Sequence, residues 1–372
     1  MRALRNRVDT LVIGGGQAGL VMGYYLREAK EDFAILEADA RVGDSWRQRY
    51  DSLRLFSPPR YASLPGWRIA PVGGFPTRDE MADYLEAYAL RFQLPVHTGT
   101  AVRRVSRSDD GGFLVETSRG DYTADRVVVA AGMHRVPRVP ALAAEVDPAF
   151  RQLTSIDYRN PGQFAAGGVL VVGAGNSGTD IALDAAAAGH QTWIAGRHPG
   201  QVPFDIDSPS GRPVVPLVMF VFRHVLTLRT PPGRKVRKAQ LGHGVNLVRN
   251  KLADLDAAGI TRIGRIEAVV DGRPVSADGV RPDVGTVVWC TGSAPDHSFL
   301  DLPLRPGEDG LPRHDRGVAE EPGLYFLGLF FQYAVASETI QGLARDARWL
   351  VRQMRRTAST PRTAPSELRQ PA

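Results

Sequence analysis

Two glycine-rich segments with the same spacing constrain the fold of this chain more than any other feature. Each follows a short aliphatic run and opens a stretch with helical apolar spacing: Gly14-Gly15-Gly16-Gln17-Ala18-Gly19 and Gly173-Ala174-Gly175-Asn176-Ser177-Gly178. In a Gly-x-Gly-x-x-Gly turn the first glycine permits a tight turn, the second lets backbone N–H groups approach a pyrophosphate, and the third lets helix and strand pack closely. The helix N-terminus adds partial positive charge. Two dinucleotide-binding sites are therefore predicted.

The residues around these segments predict the same βαβ unit twice. The first unit is a strand at Thr10–Ile13, a helix at Gln17–Ala29 and a strand at Phe33–Leu36. The second is a strand at Val169–Val172, a helix through Ala188 and a strand at Thr192–Ala195. The predicted fold class is α/β, with two doubly wound Rossmann-like dinucleotide-binding domains.

The residue that follows the second strand of each unit assigns the nucleotides. Glu37 follows the first of these strands, where a carboxylate can accept hydrogen bonds from ribose hydroxyls. Arg197 follows the other, where a guanidinium suits a 2′-phosphate that a carboxylate would repel. We therefore expect FAD at the first site and NADPH at the second. The alternative for Arg197 is a solvated surface arginine.

The residues expected to contact the cofactors follow from this assignment. For FAD they are Gly14, Gly15, Gly16, Gln17, Ala18, Gly19 and Glu37. For NADPH they are Gly173, Gly175, Asn176, Ser177, Gly178, Thr179, Asp180 and Arg197.

The order of predicted elements indicates that the NADPH-binding domain is inserted into the FAD-binding domain. We expect the first part of the FAD-binding domain over residues 1–158, the NADPH-binding domain over 159–284 and the return to the FAD-binding domain over 285–356. Residues 357–372 are rich in Pro, Ser, Thr and Arg without periodicity, which predicts a disordered tail.

Composition restricts both the reactions and the cellular locations that can be expected of this chain. Cys290 is the only cysteine, which excludes a redox-active Cys-x-x-Cys pair, and no histidine spacing indicates a metal site. The N-terminus lacks the apolar stretch of a signal peptide, so a cytoplasmic protein is expected. The apolar run Val214–Leu228 is interrupted by Arg223 and His224 and is too short to span a membrane.

Several further segments resemble the class B flavin-dependent monooxygenases, which include the flavin-containing monooxygenases. They are Val42-Gly43-Asp44-Ser45-Trp46, Tyr50–Leu55, Phe75–Glu80, Ala130-Ala131-Gly132 and Cys290-Thr291-Gly292. The resemblance implies FAD and NADPH folds in this order and oxygenation of a small organic substrate with O2, by N-, S- or Baeyer-Villiger chemistry. It also implies FAD contacts for Ser45, Trp46, Val102, Ala131 and Gly132.

The chain departs from that family at two places. Of the linker signature expected over residues 148–158, only Tyr158 is present. Phe56 stands where eukaryotic members have an asparagine near the flavin, and a phenyl ring cannot hydrogen-bond to oxygen held there. A non-oxygenating reductase that passes electrons to a carrier or quinone, and a flavoprotein redox sensor, therefore stay open as alternatives. No side chain is assigned a catalytic role.

The segment from Phe204 to Lys251 is a basic and apolar insert. It lacks the aromatic ladder of single-stranded nucleic acid binding, so no nucleic-acid partner is expected. A solvated basic surface, an apolar lid over a bulky substrate, a peripheral membrane contact and a subunit contact in a homodimer all fit its composition.

Overall fold

The first part of the chain forms most of a mixed sheet with helices against it. A computed structural model describes residues 6–70, 73–204, 206, 208, 213–241 and 246–358. The strands here are β1 (Asn6–Ile13), β2 (Phe33–Leu36), β3 (Val96–His97), β4 (Val102–Arg107), β5 (Phe113–Thr117) and β6 (Tyr122–Val129). The helices are α1 (Gln17–Glu28), α2 (Asp44–Arg47) and α3 (Arg78–Arg91). A capping box between Thr77 and Glu80 begins α3.

The middle of the chain forms a second sheet. Its strands and those of two small ribbons are β7 (Val136–Pro137), β8 (Arg151–Thr154), β9 (Gly168–Val172), β10 (Thr192–Ala195), β11 (Thr261–Ile263), β12 (Ile266–Val270), β13 (Arg273–Ser276), β14 (Val284–Trp289) and β15 (Ser293–Ala294). The helices are α4 (Asn176–Ala187), α5 (Val215–Phe220), α6 (Pro231–Gln240) and α7 (Leu252–Ala257). The sheet is parallel, in the order β11-β10-β9-β14-β8.

The last part of the chain returns to the first sheet. It contributes β16 (His314–Asp315), β17 (Val318–Ala319), β18 (Leu324–Phe326) and the long helix α8 (Ile340–Ala358). The first sheet thus has the order β16-β17-β18-β6-β1-β2-β3, with β18 parallel to β6 and β5 antiparallel to the N-terminal half of β6. α8 packs with α1 on one face of this sheet, and both helices contribute to the same core cluster.

The prediction of two doubly wound α/β domains is confirmed. β2 and β10 begin and end at the residues predicted for them. The second sheet includes β8, which lies before residue 159, and β14, which runs past residue 284, so it draws on more of the chain than the predicted range 159–284. Of the tail expected over 357–372, residues 359–372 lie outside the described residues, and α8 extends through 357 and 358.

Among the described residues, no helix combines the length and apolar character needed to cross a bilayer.

Candidate active site: two dinucleotide cradles

The first glycine segment forms the turn between β1 and α1. Gly14 has φ +107° and lies so close to the end of β6 that a Cβ there would be 2.5 Å from the carbonyl oxygen of Ala130. A Cβ at Gly19 would be 1.8 Å from the carbonyl oxygen of Gly14. A Cβ at Gly16, in contrast, would meet no atom within 4 Å. Two glycines are therefore required by packing, and the third leaves open space at the helix N-terminus.

The second glycine segment repeats this geometry between β9 and α4. Gly173 has φ +114°, and a Cβ there would be 2.3 Å from the carbonyl oxygen of Cys290. A Cβ at Gly178 would be 1.9 Å from Gly173 O, whereas a Cβ at Gly175 would meet no atom within 4 Å. Backbone dihedrals agree as well, because Gly16 (φ −75°, ψ −171°) and Gly175 (φ −81°, ψ −173°) hold the same conformation.

Both cradles fit a pyrophosphate. The open space before α1 and before α4 lies where backbone N–H groups and the helix dipole favour an anion. The two segments differ in sequence at their x positions, yet they build the same cavity, each closed from behind by the strand end that carries Ala130 or Cys290. Each sheet therefore carries one dinucleotide cradle.

Glu37 lies at the first cradle, directly after β2. Its carboxylate accepts hydrogen bonds from the backbone N–H of Gly15 at 2.6 Å and from that of Asp39 at 2.9 Å. Burial raises the pKa of Glu37, and these two hydrogen bonds oppose the rise. The carboxylate is thus held against the glycine turn, in the position from which a ribose hydroxyl can be bound.

Arg197 lies at the second cradle, two residues after the end of β10. Its side chain is exposed and forms no ion pair or hydrogen bond with the residues that the structure describes. A small pocket beside it is lined by Gly196, His198 and Arg262, among others. His198 accepts a hydrogen bond from the backbone N–H of Gly200 through Nδ1, while its buried Nε2 has no partner. His198 and Arg262 were not singled out from the sequence, because only the fold brings them beside Arg197.

The residues that the family resemblance adds to the FAD site lie around α1. Trp46 Nε1 donates a hydrogen bond to Gln17 Oε1 at 3.2 Å, so α2 is held against the first turn of α1. Ser45 precedes Trp46 within α2, Val102 begins β4, and Ala131 and Gly132 follow β6. The ends of β1, β2 and β6 and the start of α2 thus surround the first cradle.

Thr179 and Asp180 lie inside the protein. Asp180 is 5% exposed, accepts a hydrogen bond from Tyr50 Oη at 2.9 Å and pairs with Arg249 Nη2 at 2.6 Å. Burial raises the pKa of Asp180, and Arg249 opposes this rise. Thr179 is also fully buried, and its hydroxyl donates to the carbonyl of Asn176. Asp180 thus joins the two domains, since Tyr50 comes from the first, whereas Arg249 lies in the second, near the end of the insert.

Asn176 and Ser177 begin α4 beside that network. Asn176 donates through Nδ2 to the carbonyl of Asn246 and accepts through Oδ1 from the N–H of Val248. Ser177 hydrogen-bonds to Tyr50, whose own pKa is raised mainly by burial and then by Asp180. The segment 246–250 and Tyr50 therefore fix the start of α4. The sequence placed Tyr50 in a segment that resembles the family and residues 246–250 in the insert, but it did not indicate that either contacts α4.

Phe56 and Tyr158 lie in the two segments where the chain departs from the family pattern. Phe56 is 46% exposed, in the segment between α2 and α3. Tyr158 is fully buried and donates a hydrogen bond to Asp184 Oδ2 at 3.1 Å. Tyr158 thus stabilises the second domain, and Phe56 leaves a large apolar ring at the surface.

One carboxyl group stands out at the start of α8. Glu338 ends the short helical turn Val335–Glu338 that leads into α8. It forms no hydrogen bond or ion pair with the rest of the described chain, and burial alone raises its pKa to about 7. It therefore changes charge near neutral pH.

A family profile decides the classification. The profile described as pyridine nucleotide-disulphide oxidoreductase matches residues 11–215, which include both glycine segments and most of the elements around them. The chain belongs to this family. As a member of the pyridine nucleotide-disulphide oxidoreductase family it is a flavin-dependent oxidoreductase that uses FAD and a nicotinamide dinucleotide. Cys290, the single cysteine, is half-buried, and a chain with one cysteine cannot form a redox-active dithiol pair.

Three relatives place the chain within this oxidoreductase family. An uncharacterized CzcO-like oxidoreductase from Geobacillus kaustophilus is 37% identical over 94% of this chain and 98% of its own length. An indole-3-pyruvate monooxygenase from Oryza sativa subsp. indica is 30% identical over 50% of this chain and 47% of its own. The solved structure of a flavin-containing monooxygenase from Stenotrophomonas maltophilia is 28% identical, with a TM-score of 0.77 over 95% of this chain and all of the other. The resemblance to flavin monooxygenases is confirmed.

Proposed function

We propose that this protein is an NADPH-dependent FAD monooxygenase that oxygenates a small organic substrate with O2. The observation that carries the proposal is the likeness to the Stenotrophomonas maltophilia flavin-containing monooxygenase, which extends over both cradles and over the whole length of that chain. The two cradles supply the sites that such a reaction needs. When bound, NADPH supplies a hydride to the flavin of FAD, and the reduced flavin supplies electrons to O2.

The residues of this chain bind and orient the two cofactors. The N–H groups at the start of α1 and the space before Gly16 would hold the pyrophosphate of FAD, with Glu37 on its ribose. The start of α4 and the space before Gly175 would hold the pyrophosphate of the nicotinamide nucleotide. The hydrogen bond from Tyr50 to Asp180 ties the segment after α2 to α4, so it connects the two domains that carry the cradles.

NADPH is favoured over NADH by the charges at the end of β10. Arg197 is exposed and unpaired within the described structure, and Arg262 and His198 line the pocket beside it. A 2′-phosphate would gain charge-assisted hydrogen bonds from a guanidinium there, and NADH has no group to use them. No described carboxylate takes the position that Glu37 occupies in the first cradle, since Gly196 and Arg197 follow β10 directly.

The test is incorporation of labelled oxygen. FAD-loaded protein is incubated with NADPH, ¹⁸O2 and a panel of sulfides, amines and cyclic ketones, and products are analysed by mass spectrometry. We expect one ¹⁸O atom in a product, with NADPH consumed in equal amount. Hydrogen peroxide as the sole product with every substrate would overturn the proposal.

A non-oxygenating NADPH-dependent flavin reductase is the second candidate, and Phe56 is the observation that favours it. The ring of Phe56 is exposed and has no polar atom that could hydrogen-bond to oxygen near a flavin. The same experiment separates the candidates when a quinone is added under anaerobic conditions. Fast quinone reduction without labelled product in air would select the reductase.

A further inference from the structure

The helix at residues 215–225 is apolar on two opposite faces. It consists of α5 and one wider turn, Val221–Val225. On the inner face Val215 is buried and Met219 packs beside it, in a cluster with Phe75 and Ile206. Burial of one apolar face is the usual reason for such a helix to fold onto a protein. That requirement is already met on the inner side.

The outer face of this helix is apolar and exposed. Leu217 is 64% exposed and Phe220 is 56% exposed, and Val214 and Val225 flank them. Leu217 and Phe220 are three residues apart, which places both on the side of the helix away from Val215 and Met219. Large apolar groups that are exposed together on a soluble protein mark an interaction surface.

A basic helix, α6, begins next to the turn that ends the apolar helix. Gly233, in the first turn of α6, packs so tightly that a Cβ there would be 2.3 Å from the backbone N of Thr227. Thr227 is part of the turn that ends the apolar helix, so the two helices meet at this point. Thr230 caps α6 by accepting a hydrogen bond from Gly233 N at 3.2 Å. The junction is therefore built from close backbone contact.

The basic helix presents its cations outward. Arg237 faces the protein and pairs with Asp309 at 2.8 Å. Arg234, Lys235 and Lys238 are exposed and form no ion pair with the residues that the structure describes. At about 100° per residue these three side chains occupy one side of the helix. Arg229, also exposed, lies in the turn between the helices.

The surrounding sequence carries no opposite charge. From residue 208 to residue 253 there are nine lysines and arginines and no aspartate or glutamate. A face with this composition attracts a partner that is both negatively charged and able to bury apolar side chains.

We propose that this insert surface, formed by Val214, Leu217, Phe220, Val225, Arg229, Arg234, Lys235 and Lys238, binds the surface of an anionic lipid bilayer. Apolar side chains of an interfacial helix enter the boundary between headgroups and acyl chains, and neighbouring cations bind anionic headgroups. A second copy of the chain fits less well, because a two-fold interface through this face would bring two patches of the same positive charge together. Through the insert surface, the protein would bind the membrane as a peripheral membrane protein.

Vesicle flotation with the FAD-loaded protein tests this proposal. Vesicles of equal parts phosphatidylglycerol and phosphatidylcholine should carry the yellow protein upward, and vesicles of phosphatidylcholine alone should not. Each cation near an anionic bilayer contributes about fivefold to affinity. The double variant Lys235→Gln/Lys238→Gln should therefore bind about 25-fold more weakly. Leu217→Ser/Phe220→Ser should also lose binding while retaining FAD.

Matched controls come from other exposed residues. Leu90 on α3 is 74% exposed, and Arg103 and Arg352 are exposed cations in the first domain. Leu90→Ser and Arg103→Gln/Arg352→Gln should leave flotation unchanged. The proposal is overturned if wild-type protein fails to float with anionic vesicles, if the control variants lose binding equally, or if Leu217→Ser/Phe220→Ser instead converts a dimer to a monomer in the absence of lipid.

Discussion

Adding a single methyl group at Gly175, in the second cradle, should weaken nucleotide binding without destabilising the fold. In Gly175→Ala the new Cβ meets no protein atom within 4 Å, and φ −81°, ψ −173° is a conformation that alanine adopts freely. The folded protein should accommodate the methyl group. Because alanine leaves the unfolded chain with less conformational entropy than glycine does, the free energy of unfolding should rise by about 0.5 kcal/mol.

The same methyl group would fill the space that the pyrophosphate needs. Loss of one hydrogen bond to a charged group costs about 1.5–3 kcal/mol. That corresponds to an increase of about 10- to 100-fold in the Kd for the nicotinamide nucleotide. FAD, in the other cradle, should stay bound at full occupancy.

Gly178→Ala is the matched contrast. Its Cβ would lie 1.9 Å from the carbonyl oxygen of Gly173, so the backbone must shift and the free energy of unfolding should fall by about 3 kcal/mol. Urea unfolding, flavin absorbance and the rate of anaerobic flavin reduction at a series of NADPH concentrations measure the three effects. If Gly175→Ala binds NADPH normally, or if it unfolds like Gly178→Ala, the assignment of this cradle is wrong.

Three more changes test separate parts of the structure. Arg197→Ala should raise the KM for NADPH about tenfold or more and leave that for NADH nearly unchanged, since only the former has a 2′-phosphate; equal effects on both would refute the assignment. Glu338 has a folded pKa of about 7 against an ordinary value of 4.5, so it favours the folded state less as pH rises through this range. Relative to wild type, Glu338→Gln should be about 3 kcal/mol more stable at pH 8 and equal at pH 4, measured by urea unfolding, and a constant difference would contradict this. Tyr50→Phe removes the buried hydrogen bond to Asp180 and should lower the free energy of unfolding by about 2 kcal/mol, with Tyr61→Phe as a half-buried control that changes little.

Much of the fold could be predicted from the sequence because each βαβ unit is indicated by residues that are close together in the chain. The alternation of aliphatic strand, glycine turn and helix is written within about 30 residues in each unit, and strands Phe33–Leu36 and Thr192–Ala195 match their predicted bounds. The steric roles of Gly14 and Gly19 also follow from the motif, since the structure places each against backbone atoms.

The remainder depends on contacts between distant residues. Asp180 was expected at the cofactor because it lies next to the glycine turn, but its neighbours in space are Tyr50 and Arg249, which no sequence periodicity links to it. β8 has only four residues and a polar sequence, so nothing local indicates that it joins the edge of the second sheet. Helices α5 and α6 were not predicted, since Pro and Gly interrupt the apolar and basic runs.

The interleaved order of the two sheets has a consequence for biosynthesis. All strands of the second sheet have left the ribosome once Trp289 is exposed, whereas the first sheet lacks β18 until Phe326 is made. At about 5–20 residues per second, the edge of β6 at Val127–Val129 waits roughly 10–40 s for that partner. After Trp289 has emerged, the nascent chain carries all strands of the second sheet, while the first sheet still has an open, aliphatic strand edge. Residues 127–129 are therefore open to pairing with another strand until β18 has been made.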